Sequence, residues 1–271
     1  MIFMRRRRVT VASRSPRGTG WGQCLASKLD ESSAGVASWV EQHARLMKSD
    51  EFSRVGMLEM RGQPCFLKLY LAKSRLQQLG YRLGYGRGIR SFDSAIELAA
   101  CGLPVPEPLT CLVVEGGMVL MTEGIANSSD LRALWLTRPT PAAAAQLMAC
   151  AGSLLAALHR AGFSHGDCKW SNLLWDGAQL YLVDLEAVRT IKPVRGALLP
   201  INNRQLLDVA RYTVDAERLA ASQTDYGVFI ESYCAALDCE RERLFAGMRP
   251  ALQAIRKRHR ENYGGDHSRL V

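Results

Sequence analysis

The residues best suited to chemistry crowd into one segment, SHGDCKWSNLLWDGAQLYLVDLE, residues 164–186. Asp176-Gly177 between LLW and QLYLV predicts a hairpin, because a turn position with positive φ favours Asp and Gly. Its strands must run antiparallel and bring their far ends, Asn172 and Asp184, together. An amide oxygen and a carboxylate converging there suit a hard divalent cation, which takes few protein oxygens and fills its shell with water and phosphate. Asp167 lies on the preceding loop, placed to reach an acceptor hydroxyl without ligating the metal, the geometry of a positioned base. His165 is expected to orient the loop by hydrogen bonding, and Cys168 to be a packed thiol. Each of these residues alone also fits a ligand-free loop with a capping Asp; their joint spacing argues for chemistry.

The elements that must position this segment divide at about residue 124. From residue 43, HARLMKSD, EFSRVGMLEM and CFLKLY read as successive strands of an antiparallel meander, with Arg61-Gly62 as a turn. RSFDSAIELAACG carries apolar residues at helical spacing, so one helix should pack on this small sheet. LPVPEPL enforces extended backbone and CLVVEGGMVLMTE reads as a further hairpin. Beyond Gly124 the pattern turns helical: PAAAAQLMACAGSLLAALHR places Leu147, Ala151, Leu154, Leu155 and Leu158 on one stripe, and QLLDVARYTV and YGVFIESYCAAL follow. Asp208 falls mid-helix, where it either anchors the loop backbone from a buried position or faces solvent.

HGDCKWSN resembles the catalytic loop of the protein-kinase-like superfamily, H-x-D-x-x-x-x-N, and VDLE stands where that superfamily has its metal-binding Asp-Phe-Gly. The resemblance implies an α+β fold with two lobes, a small antiparallel-sheet lobe with one helix and a mainly helical lobe. It makes Asp167 the catalytic base, Asn172 and Asp184 the Mg2+ ligands, and ATP the phosphate donor. Lys68, a single charge in the apolar strand CFLKLYL, takes the lysine's place beside the donor phosphates, the competing reading being an edge lysine that discourages aggregation. Glu97 is its expected acidic partner, although Ser94 to Glu97 also fits a capping box. Met121 is expected behind the adenine, with Glu123 and Ile125 among the hinge residues whose backbone faces the base. Ser49 and Ser53 in KSDEFSRVG stand in for the absent Gly-rich loop.

Within that superfamily the chain looks most like the bacterial lipopolysaccharide kinase family, through ELAACGLPVPEPL, the HGDxxxxN loop with VDLE, and NRQLLDVARY followed by DYGVFIESY. The resemblance implies a heptose or Kdo sugar of the lipopolysaccharide inner core as acceptor and work at the inner face of the cytoplasmic membrane. Glu186 in place of the usual Gly, and the lack of an Ala-Pro-Glu segment, weaken a protein substrate. Arg189, Lys192, Arg195 and Arg204 form one acid-free basic run and Lys73, Arg75, Arg82, Arg87 and Arg90 another, both suited to phosphates or sugar carboxylates. Three alternatives stay open: an aminoglycoside- or choline-type phosphotransferase, an atypical serine/threonine protein kinase, and a non-enzymatic pseudokinase.

Composition sets further bounds. Much of the net charge of +9 comes from residues 1–28, read here with residues 29 and 30 as a basic flexible tail before a first lobe of 31–124 and a second of 125–271. No apolar stretch follows the first arginines as a secretory signal requires, and no apolar run reaches the length of a spanning helix. The eight cysteines show no Cys-x-x-Cys spacing and several lie inside apolar periodic segments, which favours buried free thiols in a reducing cytoplasm over disulfides or zinc. No nucleic-acid partner is expected.

Overall fold

The computed structural model describes residues 9–16, 18–31, 35–191, 199–263 and 269–271. The chain divides into two compact units, the first comprising residues 1–99 and 106–126, the second residues 100–105 and 127–271. Residues 100–105, which include the first three residues of the proline-rich stretch, belong to the second unit.

In the first unit the elements are β1 (Val9–Arg14), α1 (Trp21–Glu31), α2 (Val36–His43), β2 (Arg45–Asp50), β3 (Ser53–Met60), β4 (Gln63–Leu71), α3 (Arg75–Arg82), α4 (Arg87–Ala100), β5 (Pro108–Val114) and β6 (Gly117–Glu123). Among the described residues the six strands form one sheet in the order β1-β5-β6-β4-β3-β2, every neighbouring pair antiparallel. Arg61 (φ 57°) and Gly62 (φ 77°) close the β3–β4 hairpin with positive φ at both turn positions, which matches the twist of the strands.

Alternation along the strands sorts their side chains into two apolar layers. Cys65, Leu67, Leu69, Val119 and Met121 pack with Leu25 and Leu29 of α1 and Trp39 and Val40 of α2. Tyr70, Cys111, Met118 and Leu120 pack on the other face with Tyr81, Ile89 and Phe92. The sheet is therefore covered on both faces, where one helix was expected. The correction arises in the segment read as a tail: Trp21, Leu25 and Leu29 recur at helical spacing and are buried, Leu25 and Leu29 completely. The arginines around them hid that stripe in the composition. Residues 1–8 and 17 lie outside the described residues.

The second unit contains β7 (Ser129–Asp130), α5 (Leu131–Leu136), α6 (Pro141–Arg160), β8 (Phe163–Ser164), β9 (Leu173–Trp175), β10 (Leu180–Leu182), β11 (Arg189–Thr190), α7 (Asn203–Arg218), α8 (Gln223–Leu237) and α9 (Arg241–Tyr263). Helix α6 starts as the sequence demands, with Pro141 in the first turn and the Thr140 hydroxyl accepting from the Ala143 amide at 3.3 Å. By length and composition α6 could cross a membrane. In this unit it serves as a core helix, burying Leu147, Met148, Ala151, Leu155 and Leu158, and Gly152 lets α8 approach so closely that a Cβ there would strike the Phe229 carbonyl. Helix α7 opens with a capping box in which Asn202 and Gln205 satisfy each other's backbone amides. Helix α9 is fixed by Arg256, whose guanidinium pairs with the buried Glu217 of α7, and the Leu270 amide donates to the same carboxylate at 3.0 Å.

Because Leu25 is fully buried, Leu25→Ala should destabilise the protein by about 2–5 kcal/mol, whereas Leu76→Ala on exposed α3 should change stability by less than about 0.5 kcal/mol. Chemical denaturation of both variants checks this; equal, small effects would return residues 21–30 to the status of a tail.

Candidate functional site

The loop from Phe163 to Asn172 carries most of the candidate residues, and helix α7 dictates its shape. Asp208 is fully buried; its Oδ2 accepts from the His165 amide at 2.6 Å and its Oδ1 from the Gly166 amide at 2.8 Å. One turn on, Arg211 donates to the Gly166 carbonyl. The Tyr212 carbonyl accepts from the Trp170 indole at 3.1 Å, and Asp215 Oδ2 accepts from the Trp170 amide at 2.9 Å. Gln205 Nε2 donates to the His159 and Phe163 carbonyls at 2.9 and 3.0 Å, fixing the approach to the loop. Positions 205, 208, 212 and 215 recur at helical spacing, so one face of α7 addresses the whole loop. The alternative of a solvent-facing Asp208 is excluded by its burial.

Gly166 has φ 79°, and a Cβ on it would meet the Ala187 carbonyl, so the Gly of HGD serves both a positive φ and a close approach to the chain after Asp184. His165 is buried: its Nε2 lies 3.1 Å from the Val183 carbonyl and its Nδ1 accepts from the Asp167 amide at 3.4 Å. This imidazole therefore carries its proton on Nε2 and ties the loop to the strand end, an orienting role. Burial pushes its pKa below the usual 6.5. Cys168 is a packed thiol whose pKa burial raises well above the usual value, so it is inert.

The hairpin has the predicted register, with Leu173 opposite Leu182 and Trp175 opposite Leu180. Its turn is held by Asp176 Oδ1, which accepts from the Ala178 and Gln179 amides, each at 2.8 Å, and Gly177 takes φ 103°. At the far end the Val183 amide donates to the Asn172 carbonyl at 3.1 Å, which sets Asp184 one residue beyond that bond. Asp184 adopts the left-handed conformation, φ 60° and ψ 55°, and begins the 3-10 turn Leu185–Ala187; Asp tolerates that region better than most residues.

Asn172 donates through Nδ2 to the Asp167 carbonyl at 2.9 Å and to Asp167 Oδ2 at 3.2 Å, which turns its Oδ1 away from Asp167. Lys169 Nζ donates to the same Oδ2 at 2.8 Å. Both donors thus engage one oxygen of Asp167, and the other is left for a further hydroxyl on a half-exposed carboxylate. Sequence reasoning passed over Lys169; its signal was a cation two residues after the base. Among the described residues no three His, Cys, Asp or Glu side chains gather as a metal cage. The donor set at the hairpin mouth is one amide oxygen and one carboxylate, which fits a magnesium ion that keeps water and phosphate ligands.

In the first unit Lys68 sits on β4 between β3 and β6, opposite Val55 and Leu120, so it is an interior residue and not an edge lysine. Its ammonium lies 5.0 Å from the Tyr70 ring centroid. Met121 belongs to the other sheet face, packed in the layer under α1 and α2, and the residues at this end of β6 that share the face of Lys68 are Leu120 and Thr122. Strand alternation carried this signal. Helix α4 begins at Arg87, which places Ser94 in mid-helix and removes the capping-box reading. Its packed stripe runs through Ile89, Phe92, Ala95 and Leu98; Glu97 lies off that stripe, exposed, and the structure does not bring it to Lys68. Glu123 is tied to Glu107 by paired backbone and side-chain bonds, and the last ladder bond before Ile125 runs from the Gly124 amide to the Pro64 carbonyl at 2.9 Å. Ser53 is buried at the β2–β3 turn. Of the basic run after the hairpin, Lys192 and Arg195 lie outside the described residues.

Comparison with known proteins gives the family and the fold. Residues 37–233 match the model of the Lipopolysaccharide kinase (Kdo/WaaP) family. A solved structure described as WaaP in complex with acyl carrier protein superimposes with a TM-score of 0.59 at 17% identity, covering 93% of this chain and 99% of that one. At that identity the likeness concerns the fold. No curated protein sequence matches the chain.

Two outcomes follow for the second unit. Asp208→Ala leaves one buried and one part-buried amide without an acceptor and should destabilise the unit by about 3 kcal/mol, read by chemical denaturation; a change under about 1 kcal/mol would contradict the anchor. His159 and His165 are both buried with pKa values lowered from 6.5 by burial. The unfolded chain therefore binds protons that the folded one refuses, so stability is complete above 6.5 and falls as pH drops below it, by up to about 1.4 kcal/mol per pH unit for each ring. A denaturation midpoint that stays flat from about pH 7 to pH 5 would contradict this.

Proposed function

The chain belongs to the Lipopolysaccharide kinase (Kdo/WaaP) family, and from that we propose that it moves the terminal phosphoryl group of ATP to a hydroxyl of a heptose or Kdo sugar in the lipopolysaccharide inner core. The family makes it a kinase, a phosphotransferase of lipopolysaccharide; the donor, the sugar and the residue roles are our reading. The observation that carries the reading is the cluster at Asp167, where Lys169 and Asn172 both donate to one carboxylate oxygen on a loop pinned by Asp208. The acceptor's lipid anchor would bring the enzyme from the cytoplasm to the inner face of the cytoplasmic membrane.

Asp167 holds the acceptor hydroxyl with its remaining oxygen and takes the proton as the sugar oxygen bonds to phosphorus and the bond to the leaving ADP breaks. Asn172, by bonding both the carbonyl and the carboxylate of Asp167, fixes the rotamer that this requires. Lys169 places a cation next to the base, where negative charge on the transferring group is stabilised. Lys68 is the residue of the first unit suited to hold the donor's phosphates. Asn172 and Asp184 would hold a magnesium ion, which neutralises phosphate charge when bound. Exposed Arg189 after the hairpin suits the phosphates or carboxylates of a core sugar.

The test is incubation of the purified protein with ATP, magnesium and dephosphorylated core lipopolysaccharide, beside an aminoglycoside, choline and a generic protein. Phosphate in the core sugar supports the reading; phosphate on the drug, choline or protein alone overturns it. In the same assay Asp167→Asn should lower turnover by about 10²–10⁴-fold, the usual contribution of a general base, with MgATP binding nearly unchanged. Weakened MgATP binding with near-normal turnover would make Asp167 a metal ligand instead.

A further inference from the structure

Helix α3 turns its leucines outward. Leu76 is 77% exposed, Leu79 50% and Leu83, just past the helix, 65%, and Tyr85 follows at 73%. Residues 76, 79 and 83 fall on one helical stripe. The opposite side is what holds the helix down: Tyr81 is buried, Gln78 Nε2 donates to the Val114 carbonyl at 2.8 Å, and Ser74 caps the start by accepting from the Gln77 amide at 3.2 Å. A marginal surface helix of this kind would ordinarily be polar outside, so three protruding leucines in a row need a partner.

The charge around the stripe is of one sign. Residues 72–92 contain Lys73, Arg75, Arg82, Arg87 and Arg90 and no acid, and all five side chains are exposed. Arg75 and Arg82 lie along one border of the leucine stripe, where their stems can follow apolar surface while the guanidinium groups reach outward. The first acid beyond, Asp93, is occupied by Arg14 at 3.3 Å.

We propose that α3 and the turn after it dock the first unit on an anionic lipid bilayer, Leu76, Leu79, Leu83 and Tyr85 entering the headgroup boundary and the flanking arginines meeting lipid phosphates. A second copy of this chain is disfavoured as occupant, because an isologous contact would oppose five cations to five. Leucines that protrude singly from one helix suit a fluid bilayer, which needs no complementary groove. The inference rests on the proposed function only in that a lipid-anchored acceptor would explain the need for docking; the outward stripe and its charge stand without it. It also shifts the basic run of residues 73–90 from sugar recognition to lipid headgroups.

Co-sedimentation of the full chain with vesicles tests this, comparing phosphatidylcholine alone with phosphatidylcholine containing phosphatidylglycerol. The protein should bind the anionic vesicles and be released by salt. Arg75→Gln with Arg82→Gln should lower the partition coefficient about twenty-five-fold, roughly fivefold for each charge, and Leu76→Ser with Leu79→Ser about tenfold or more. The leucine variant should melt as wild type does and phosphorylate a water-soluble, deacylated core at the wild-type rate. Absent binding to anionic vesicles, or binding that both variants leave unchanged, overturns the proposal. So does a leucine variant that binds vesicles normally but abolishes a concentration-dependent dimer, or one that abolishes binding of an acidic soluble protein. A failed kinase reading would appear separately, as no phosphate transfer to the soluble core with vesicle binding intact.

Discussion

One buried carboxylate governs the second unit. Asp208 has no exposed surface, and a charge removed from water is costly unless its oxygens are satisfied. Two consecutive backbone amides, those of His165 and Gly166, satisfy them, so the chain must reverse at this point to bring both N–H groups to one side chain. Gly166 makes the reversal affordable through its positive φ, and its lack of a Cβ admits Ala187. The neighbouring His159 Nε2, 3.5 Å from Asp208 Oδ2, makes no hydrogen bond to it, while His159 Nδ1 lies 2.6 Å from the Tyr233 hydroxyl. Asp208 is therefore spent on the loop backbone, and position rather than chemistry is its contribution.

That arrangement holds only if α7 itself cannot move, and aromatic packing supplies the rigidity. Trp135 meets Trp170 edge-on at 5.2 Å, Trp170 meets Tyr212 at 5.3 Å, and Tyr212 stacks on Phe229 at 3.9 Å, with Tyr226 and Tyr233 beyond. Such pairs contribute about 0.5–1.5 kcal/mol each beyond the area they bury. Trp170 belongs both to this column and to the loop: it is fully buried and is the first residue of the 3-10 turn Trp170–Asn172. The core of the unit and the placement of Asp167 and Asn172 thus share one side chain. The first unit follows a different plan: an interior strand between two apolar layers carries a single cation, Lys68, with a tyrosine ring beside it.

What the sequence made legible was whatever local spacing controls. The hairpin register, the pairing of Asn172 with the strand end and the sheet position of Lys68 all follow from turn chemistry or strand alternation within a few residues. Residues 21–30 were misread because arginines and glycines around Trp21, Leu25 and Leu29 dominate the composition, while burial depends only on the i, i+4, i+8 stripe. Met121 and Glu97 were misplaced by one step of geometry each: the first because the strand parity set by Lys68 was not carried across the β4–β6 register, the second because α4 starts earlier than Phe92 and its packed stripe excludes 97. Asp208 could be read as mid-helix, but whether that position faces the loop or water depends on how α6, α8 and α9 surround α7, which is tertiary.

The claim that α7 holds the loop of residues 163–172 is tested most directly by hydrogen exchange at the amides of His165, Gly166 and Trp170. All three donate to side chains of α7, namely Asp208 and Asp215. They should exchange as slowly as the buried amides of α6 and α7, through the cooperative opening of the second unit. Exchange at the rate of exposed turns such as Gly177–Ala178, in a unit otherwise protected, would show that the loop opens independently of α7 and would contradict the account.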